Sequence, residues 1–411
     1  MKQSSDDSKL LFQFMLLSVV GGMSMGMAQI AVTLYAVALG ATSSQIGMIG
    51  GMQGIGLLFT VLPIGFLVDH VGPRKVFIFG AVTSSIIYLF FPFANSSQAL
   101  CFFVAVAGFF TAFRFIPLSS VFLEFVRKVG NDKAGWQRGS HSFGLVFLGP
   151  LFGASMSKYL GFNATFYLVS AFVLLLIIGA VAIFPETKGS AGRSIGERLS
   201  DVRELFKDRN ILEASGAEAL ALATFSCFNA FIVVLAIRVF HFSTQTASLF
   251  VSIEGLAFIA TLFTFWRLLG RLEERHFYLT SIAFVVAGLT LLSCIWHPAF
   301  LVTGTILIGI GLGMFNLINV TRIANASVEK GKIAGIFAMF TVLGSIIGPV
   351  IGGFAGEYFG IQAVFLIFIP LYLGLALKLS FKHHPQPSSQ KGDHVSMVSI
   401  KQESADVFQE V

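Results

Sequence analysis

The 411-residue sequence predicts an all-α membrane protein with twelve transmembrane helices in two pseudo-symmetric six-helix bundles. Three observations carry that prediction. Apolar residues make up 55% of the chain and charged residues 12%, whereas a soluble domain carries about a quarter charged. The apolar residues fall in runs near the ~20 residues needed to span the hydrocarbon core. Finally, one stretch occurs twice: Gly149, Pro150, Gly153, Tyr159, Gly161, Ala164 and Phe166 return 199 residues later as Gly348, Pro349, Gly352, Tyr358, Gly360, Ala363 and Phe365. Seven identities within eighteen positions at a single offset point to a duplicated half.

Taken in order, the apolar segments lie at about 10–38, 46–68, 75–94, 98–121, 140–158 and 164–184, then 211–237, 245–266, 277–296, 299–321, 333–356 and 361–380. The first run has no small-residue cleavage site after it and is read as a retained helix. With the N-terminus in the cytoplasm, every Lys and Arg falls on the cytoplasmic side except Lys158 and Arg238, which fall outside, and Arg114, which falls within a span. The net charge of +6 therefore follows membrane side and does not indicate nucleic-acid binding. Cys101, Cys227 and Cys294 sit in or beside apolar runs, so no disulfide framework is expected.

The segments divide the chain into a bundle at 1–185, a linker at 186–210, a bundle at 211–380 and a tail at 381–411. In the linker Ile195, Leu199, Val202 and Phe206 share one helical face, which reads as a surface helix tethering the bundles or as a solvated linker with accidental periodicity. The tail, polar and punctuated by Pro385 and Pro387, reads as disordered and cytoplasmic. The second copy of the repeat lies in Gly335 to Gly353, where Gly344, Gly348, Gly352, Gly353 and Pro349 interrupt an apolar run. A water-soluble helix would be weakened by those glycines and broken by the proline. In a bilayer they permit close approach, so a bendable, tightly packed helix is expected here, with Gly149 and Pro150 as its counterpart.

The most specific motif joins the second and third segments: Gly65, Leu67, Asp69 and Gly72, then Arg74 and Lys75. Gly72 permits a tight turn, the basic pair holds the loop in the cytoplasm, and Asp69 can accept hydrogen bonds from a neighbouring helix N-terminus. In this loop the chain resembles the major facilitator superfamily, in particular its branch that exports drugs and organic compounds. The resemblance spans residues 8–380 and is supported by Arg114 in the fourth segment and by Phe184-Pro185-Glu186-Thr187 after the sixth. Two departures stand out. The matching loop of the second half, Arg267 to Arg275, has lost the aspartate. The glycine pattern of the fifth segment, which family antiporters carry, has Leu145 where a glycine is expected and Ala154 where the second of a pair would be.

The resemblance implies two bundles that rock about a central site lined by the first, fourth, seventh and tenth helices. Their polar residues, Gln29, Arg114, Asn229, Asn316 and Asn319, form the expected substrate cavity. A buried arginine is costly without a partner or water, so Arg114 should face the interior, where it either touches solute or bonds backbone carbonyls. Two acids lie within spans, Glu254 in the eighth segment and Glu218 in the seventh. A carboxyl in such a cavity can bind and release a proton, and either residue is a candidate for proton coupling or for a helix-packing contact. The gating loop, Gly65, Asp69, Gly72 and Arg74, is expected to clamp the cytoplasmic side, with Asp69 on the eleventh helix near 333–335 and Arg74 on Glu124. His141 reads as an interfacial residue. There is no metal cluster, no nucleophile arrangement and no phosphate loop, so neither an enzyme nor a cofactor nor ATP drive is implied. The expected partners are a small solute, protons and lipid, for a monomer in the bacterial cytoplasmic (inner) membrane with both termini inside. Export in exchange for protons, uptake by symport or facilitated diffusion, and a non-transporting assembly factor on the same fold remain as alternatives.

Overall fold

The computed structural model describes residues 2–129, 136–184, 209–265, 273–294, 297–324 and 330–381. The amphipathic face read at Ile195 to Phe206 and the tail beyond Phe381 lie outside them, as do most of the loop at 267–275 and the side chains at 333–335. The described chain is helical throughout, with no strand. The helices are α1 Lys2–Ala38, α2 Ser43–Val71, α3 Pro73–Phe90, α4 Ser97–Val129, α5 (136–159), α6 Gly161–Ile183, α7 Arg209–Arg238, α8 Thr244–Thr264, α9 Glu274–Ser293, α10 Pro298–Ala324, α11 Lys330–Phe359 and α12 (363–381). Ten are long and apolar enough to cross a membrane. An eleventh is α2, bent by 51° between Ser43–Thr60 and Pro63–Val71. The remaining helix, α5, is outside that count and consists of Trp136–Ser142, a π-helical turn Phe143–Leu148 and Gly149–Tyr159.

Local chemistry explains the helix ends. Thr42 starts α2 with a reciprocal cap: its hydroxyl accepts from the Gln45 amide at 3.4 Å, and the Gln45 side chain accepts from the Thr42 amide at 3.0 Å. Ser243 caps α8 in the same place of the second half, accepting from the Thr246 amide at 3.2 Å. Gly72, at φ 93°, makes the turn into α3 and donates to the Val68 carbonyl at 3.0 Å. Two expected boundaries shift. The α4 helix continues past the apolar run to Val129, because its polar last turns can extend beyond the hydrocarbon. The twelfth segment is broken at Ile367 and Phe368, because Pro370 has no N–H to bond the Leu366 carbonyl four residues back, while its fixed φ suits the first turn of Ile369–Phe381.

The duplication is visible in three dimensions. Gly161 and Gly360, 199 residues apart, both adopt positive φ, 82° and 91°, in the turns that follow α5 and α11. Phe166 and Phe365 are both buried, and Tyr159 and Tyr358 are both exposed. The α5 helix packs on α1 as α11 packs on α7. A Cβ built on Gly144 would strike the Val19 carbonyl of α1, and one on Gly344 would strike the Ala219 carbonyl of α7. One turn on, Gly149 lies against Gly26 and Gly348 against the Ala223 carbonyl. The paired glycines are five residues apart in α5 and four in α11, and the π-helical turn absorbs the difference through a bond from the Gly149 amide to the Gly144 carbonyl. The glycine expected at 145 is therefore present one residue earlier.

The start of α1 and the Gly72 turn lie on one face, called here the N-terminal face, and the α1–α2 and α7–α8 connections lie on the far face. The halves meet through α2 against α11 and α5 against α8. Gly47 lies on Pro349 and Gly353, Gly54 on Ile346, and Gly255 on Val146. Toward the far face, Arg238 donates to the Ala41 carbonyl at 2.6 Å, Lys158 donates to Gln245 at 2.6 Å, and the Ser44 amide donates to Glu357 at 3.3 Å. Large apolar side chains such as Phe59, Phe102, Phe263 and Phe359 are exposed on the outer surface, as lipid contact requires.

Glycines within a half and between halves should therefore respond differently. Gly348→Leu forces a side chain into the α7 backbone and should lower the thermal midpoint of the purified protein, a loss of about 1–3 kcal/mol or more. Gly47→Leu should leave the midpoint closer to the parent but hold the far face apart. Cross-linking between cysteines placed at 44 and 357 should then fall at least about fivefold. Equal effects of both substitutions on both readouts would show that the two contacts do not differ in kind.

Candidate functional site

A cavity of about 210 Å³ lies between the halves beneath the far-face contacts. Its wall comes mainly from α1 and α2, with Val104, Ala107 and Thr111 on α4, Tyr88 on α3 and Phe91 just after it, Phe225, Ser226, Asn229 and Ala230 on α7, and single residues of α5, α8 and α11. Helical spacing puts Gln29 and Thr33 on one stripe of α1, and Ser226 and Asn229 on one stripe of α7. The Gln29 side chain donates to that of Gln53 at 3.2 Å. Asn229 donates to the Phe225 carbonyl at 3.0 Å, Thr33 to the Gln29 carbonyl at 3.1 Å, and Thr111 to the Ala107 carbonyl at 3.0 Å. Each hydroxyl bonded back to its own helix keeps its oxygen available as an acceptor, and the amide pair can exchange its mutual bond for one to a solute. The wall offers neutral hydrogen-bonding groups on an apolar surface and no ionised side chain among the lining residues.

Of the expected cavity residues, Gln29 and Asn229 line this space and Arg114, Asn316 and Asn319 do not. The two asparagines of α10 turn instead to α7. Asn316 donates to Glu218 Oε1 at 2.9 Å and Asn319 to Glu218 Oε2 at 2.7 Å, while Tyr278 of α9 donates to Asn319 Oδ1 at 2.6 Å. The Tyr278 bond fixes which way the Asn319 amide points, so that its NH₂ meets the carboxylate. Tyr372 of α12 and Thr224 of α7 share a hydrogen bond of 3.1 Å nearby. Glu218, Asn319, Tyr278 and Tyr372 are all buried, and this network ties four helices of the C-terminal half together.

Glu254 has a different setting. Its exposure is 0%, and neither carboxyl oxygen has a hydrogen-bond partner among the described residues. It follows Val251, which lines the cavity, by less than one turn of α8. Gly309 of α10 packs on its backbone carbonyl, and its neighbour Gly255 packs on Val146 of α5.

Arg114, with 8% exposure, lines a second space of about 30 Å³ between α1, α3, α4, α5 and α6, together with His141, Phe115 and Gly21. Met25 and Thr111 line both spaces. The Arg114 Nε is buried without a hydrogen-bond partner among the described residues. Asp69 lies three residues before Gly72 at the end of α2, Arg74 begins α3, and Glu124 is exposed in the extension of α4, all toward the N-terminal face. Among the described residues no group of His, Cys, Asp and Glu is arranged to hold a metal ion.

Sequence reading missed Gln53, Tyr88, Thr33, Thr111, Ser226 and Ser345 as cavity residues. The first of these had a legible signal, a polar side chain amid an apolar run on the helix that follows that of Gln29. The hydroxyls had none, because Ser and Thr also occur at lipid-facing positions bonded to their own helix.

Known proteins resemble this chain at two levels. It is 23% identical over 376 residues to a multidrug resistance protein, MdtG, of Enterobacter lignolyticus (strain SCF1), covering 84% of this chain and 86% of that one. It is 29% identical to the riboflavin transporter RibZ of Clostridioides difficile (strain 630) over 134 residues, 32% of this chain and 29% of that protein's length. In fold it superimposes on the crystal structure of the nucleoside transporter NupG with a TM-score of 0.76 at 19% identity, covering 91% of this chain and 100% of that one. It also superimposes on an inward-facing, unoccupied bacterial homologue of the lysosomal transporter Spinster with a TM-score of 0.74 at 13% identity, covering 91% and 96%. The family model described as Major Facilitator Superfamily matches residues 14–244 and 214–407. With that match, the duplicated six-helix halves and the cavity between them, the chain belongs to the major facilitator superfamily of membrane transporters.

Proposed function

We propose that this transporter exports a small, partly apolar organic solute in exchange for protons, by alternating access, from the cytoplasm across a bacterial inner membrane. The observation that carries the coupling is Glu254, fully buried, unpartnered and less than a turn from the cavity wall. An ionised carboxylate without partners is costly to bury, so proton binding and release there are tied to whether water reaches it. Rocking of the halves changes that access. Glu218, by contrast, already accepts two amide bonds and is held in place by them.

The asymmetry of basic residues supports a cytoplasmic N-terminal face. On that reading the far-face contacts of Gly47, Arg238 and Lys158 close the outside, and the state described is open toward the cytoplasm. In the opposite state Asp69 meets the first turn of α11 near 333–335, and Arg74 pairs with Glu124. Gly144 and Gly149 keep on α5 two of the glycine contacts that family antiporters carry on this helix, with Ala154 still in place of a third, and the similarity to MdtG points to export. A second reading, uptake of a polar metabolite, is favoured by the amide pair Gln29 and Gln53 and by relatives named for riboflavin and nucleosides. Accumulation of a panel of dyes, flavins and nucleosides in cells with and without the protein, each with and without a proton uncoupler, separates the two. Export lowers accumulation and uptake raises it.

In proteoliposomes Glu254→Gln should abolish solute movement driven by a proton gradient, by at least about tenfold, while downhill exchange persists. Concentrative transport by that variant at the parent rate would remove Glu254 from coupling. Glu218→Gln should instead show as lost stability of about 1–3 kcal/mol, because its amide nitrogen cannot accept from Asn316 or Asn319. An unchanged unfolding midpoint there would mean that the network is slack. Asp69→Asn should bind solute normally and turn over at least about tenfold more slowly, and parent turnover would dispose of the clamp.

A further inference from the structure

Arg114 is a buried cation whose half of the protein offers it no counter-charge. Between residues 8 and 185 the only acids are Asp69, Glu124 and Asp132; of the two that are described, Asp69 lies in the last turn of α2 and Glu124 in the extension of α4, both toward the N-terminal face. Glu124, ten residues along α4, is about 15 Å away down the helix axis. Among the described residues no carboxylate forms an ion pair with Arg114 and its Nε has no acceptor. A guanidinium buried at membrane depth requires an anion or water to complete it. The 30 Å³ space beside it has room for one compact group, and His141 adds an imidazole to the same wall.

The space adjoins the main cavity. Met25 and Thr111 line both it and the 210 Å³ cavity, so a group entering the larger space lies next to the smaller one. The larger wall supplies only neutral donors and acceptors. The two spaces together divide a ligand into an uncharged body and a single charged end.

From this arrangement we infer that the Arg114 pocket binds a compact monovalent anionic group, either the carboxylate of a solute whose body occupies the main cavity or a free anion bound beside a neutral solute. The inference rests on the transporter reading for its physiological meaning, but it is tested by binding alone. A bidentate or charge-assisted bond from the guanidinium is the source of the preference, and a neutral isostere of the same shape lacks it.

The test uses the purified full chain in detergent and a halide-free buffer, titrated with benzoate, with its neutral isostere benzamide and with sodium chloride, followed by isothermal calorimetry and thermal midpoint. Benzoate should bind at least about tenfold more tightly than benzamide, and Arg114→Gln should bring the two within about twofold. Arg114→Lys should keep part of the preference. Gly21→Ala provides a variant that leaves the guanidinium intact: a Cβ at Gly21 meets only Leu176 carbons at 3.9 and 4.0 Å, and its methyl group narrows the small space at the wall that Gly21 forms. It should fold and lose the preference. If Arg114→Gln does not fold, Gly21→Ala and Arg114→Lys decide the matter. Benzoate binding beyond that of chloride assigns the pocket to the solute's own carboxylate, and equal binding assigns it to a free anion. Equal binding of benzoate and benzamide by the parent, with no response to chloride, overturns the inference. So does a benzoate preference that survives Gly21→Ala. Either result leaves the transporter reading standing if neutral solutes still move in the accumulation assay.

Discussion

Backbone-to-backbone approach at glycine is the constraint on which the rest of this structure depends. In a bilayer the lipid is as apolar as the side chains, so helices gain little by hiding leucine and associate where small residues let their backbones touch. Gly22, Gly26, Gly144 and Gly149 do this for α1 and α5, Gly344 and Gly348 for α7 and α11, and Gly56 and Gly108 for α2 and α4. The same device joins the two halves through Gly47 and Gly353. What differs is the support around each contact. Within the C-terminal half the helices are also tied by the buried Glu218 network, whereas between halves the far-face bonds of Lys158 and Ser44 are exposed and only that of Arg238 to the Ala41 carbonyl is part-buried. Exposed pairs contribute about 0–1 kcal/mol each. The halves can therefore separate along a seam that is well fitted but lightly fastened.

The interior charges are distributed unevenly between halves that share an ancestor. Among the described residues, the N-terminal half buries a cation, Arg114, and no carboxylic acid, and the C-terminal half buries two carboxylic acids, Glu218 and Glu254, and no cation. Neither acid is placed to neutralise Arg114: Glu218 is occupied by Asn316 and Asn319, and Glu254 is enclosed by α8, α10 and the Val146 region of α5. Duplication supplied the frame, and the polar residues inside it diverged.

Much of the frame was legible in the sequence. Twelve apolar runs gave twelve helices, because the bilayer leaves the backbone almost no other solution. The exceptions have local causes in Pro370, which divides α12, and in the polar extension of α4. The site was less legible. Gln29 and Asn229 stood out as amides on cavity-lining helices and do line the cavity. Asn316 and Asn319 stood out for the same reason and face Glu218, since a 100° step around a helix decides between solute and neighbour and hydropathy is nearly constant all round these helices. Glu254 and Glu218 could not be ranked from composition. What separates them is the presence or absence of amide partners from another helix, which no spacing within one segment records.

The π-helical turn of α5 changes how the two halves should be compared. Counted residue by residue, the fifth helix has a leucine where its counterpart has a glycine, and the motif reads as eroded. Counted turn by turn, Gly144 and Gly149 occupy successive rungs against α1 as Gly344 and Gly348 do against α7, with one additional residue looped out between them. The quantity that has been kept is the ladder of contacts along the groove, and the number of residues per rung has been free to drift.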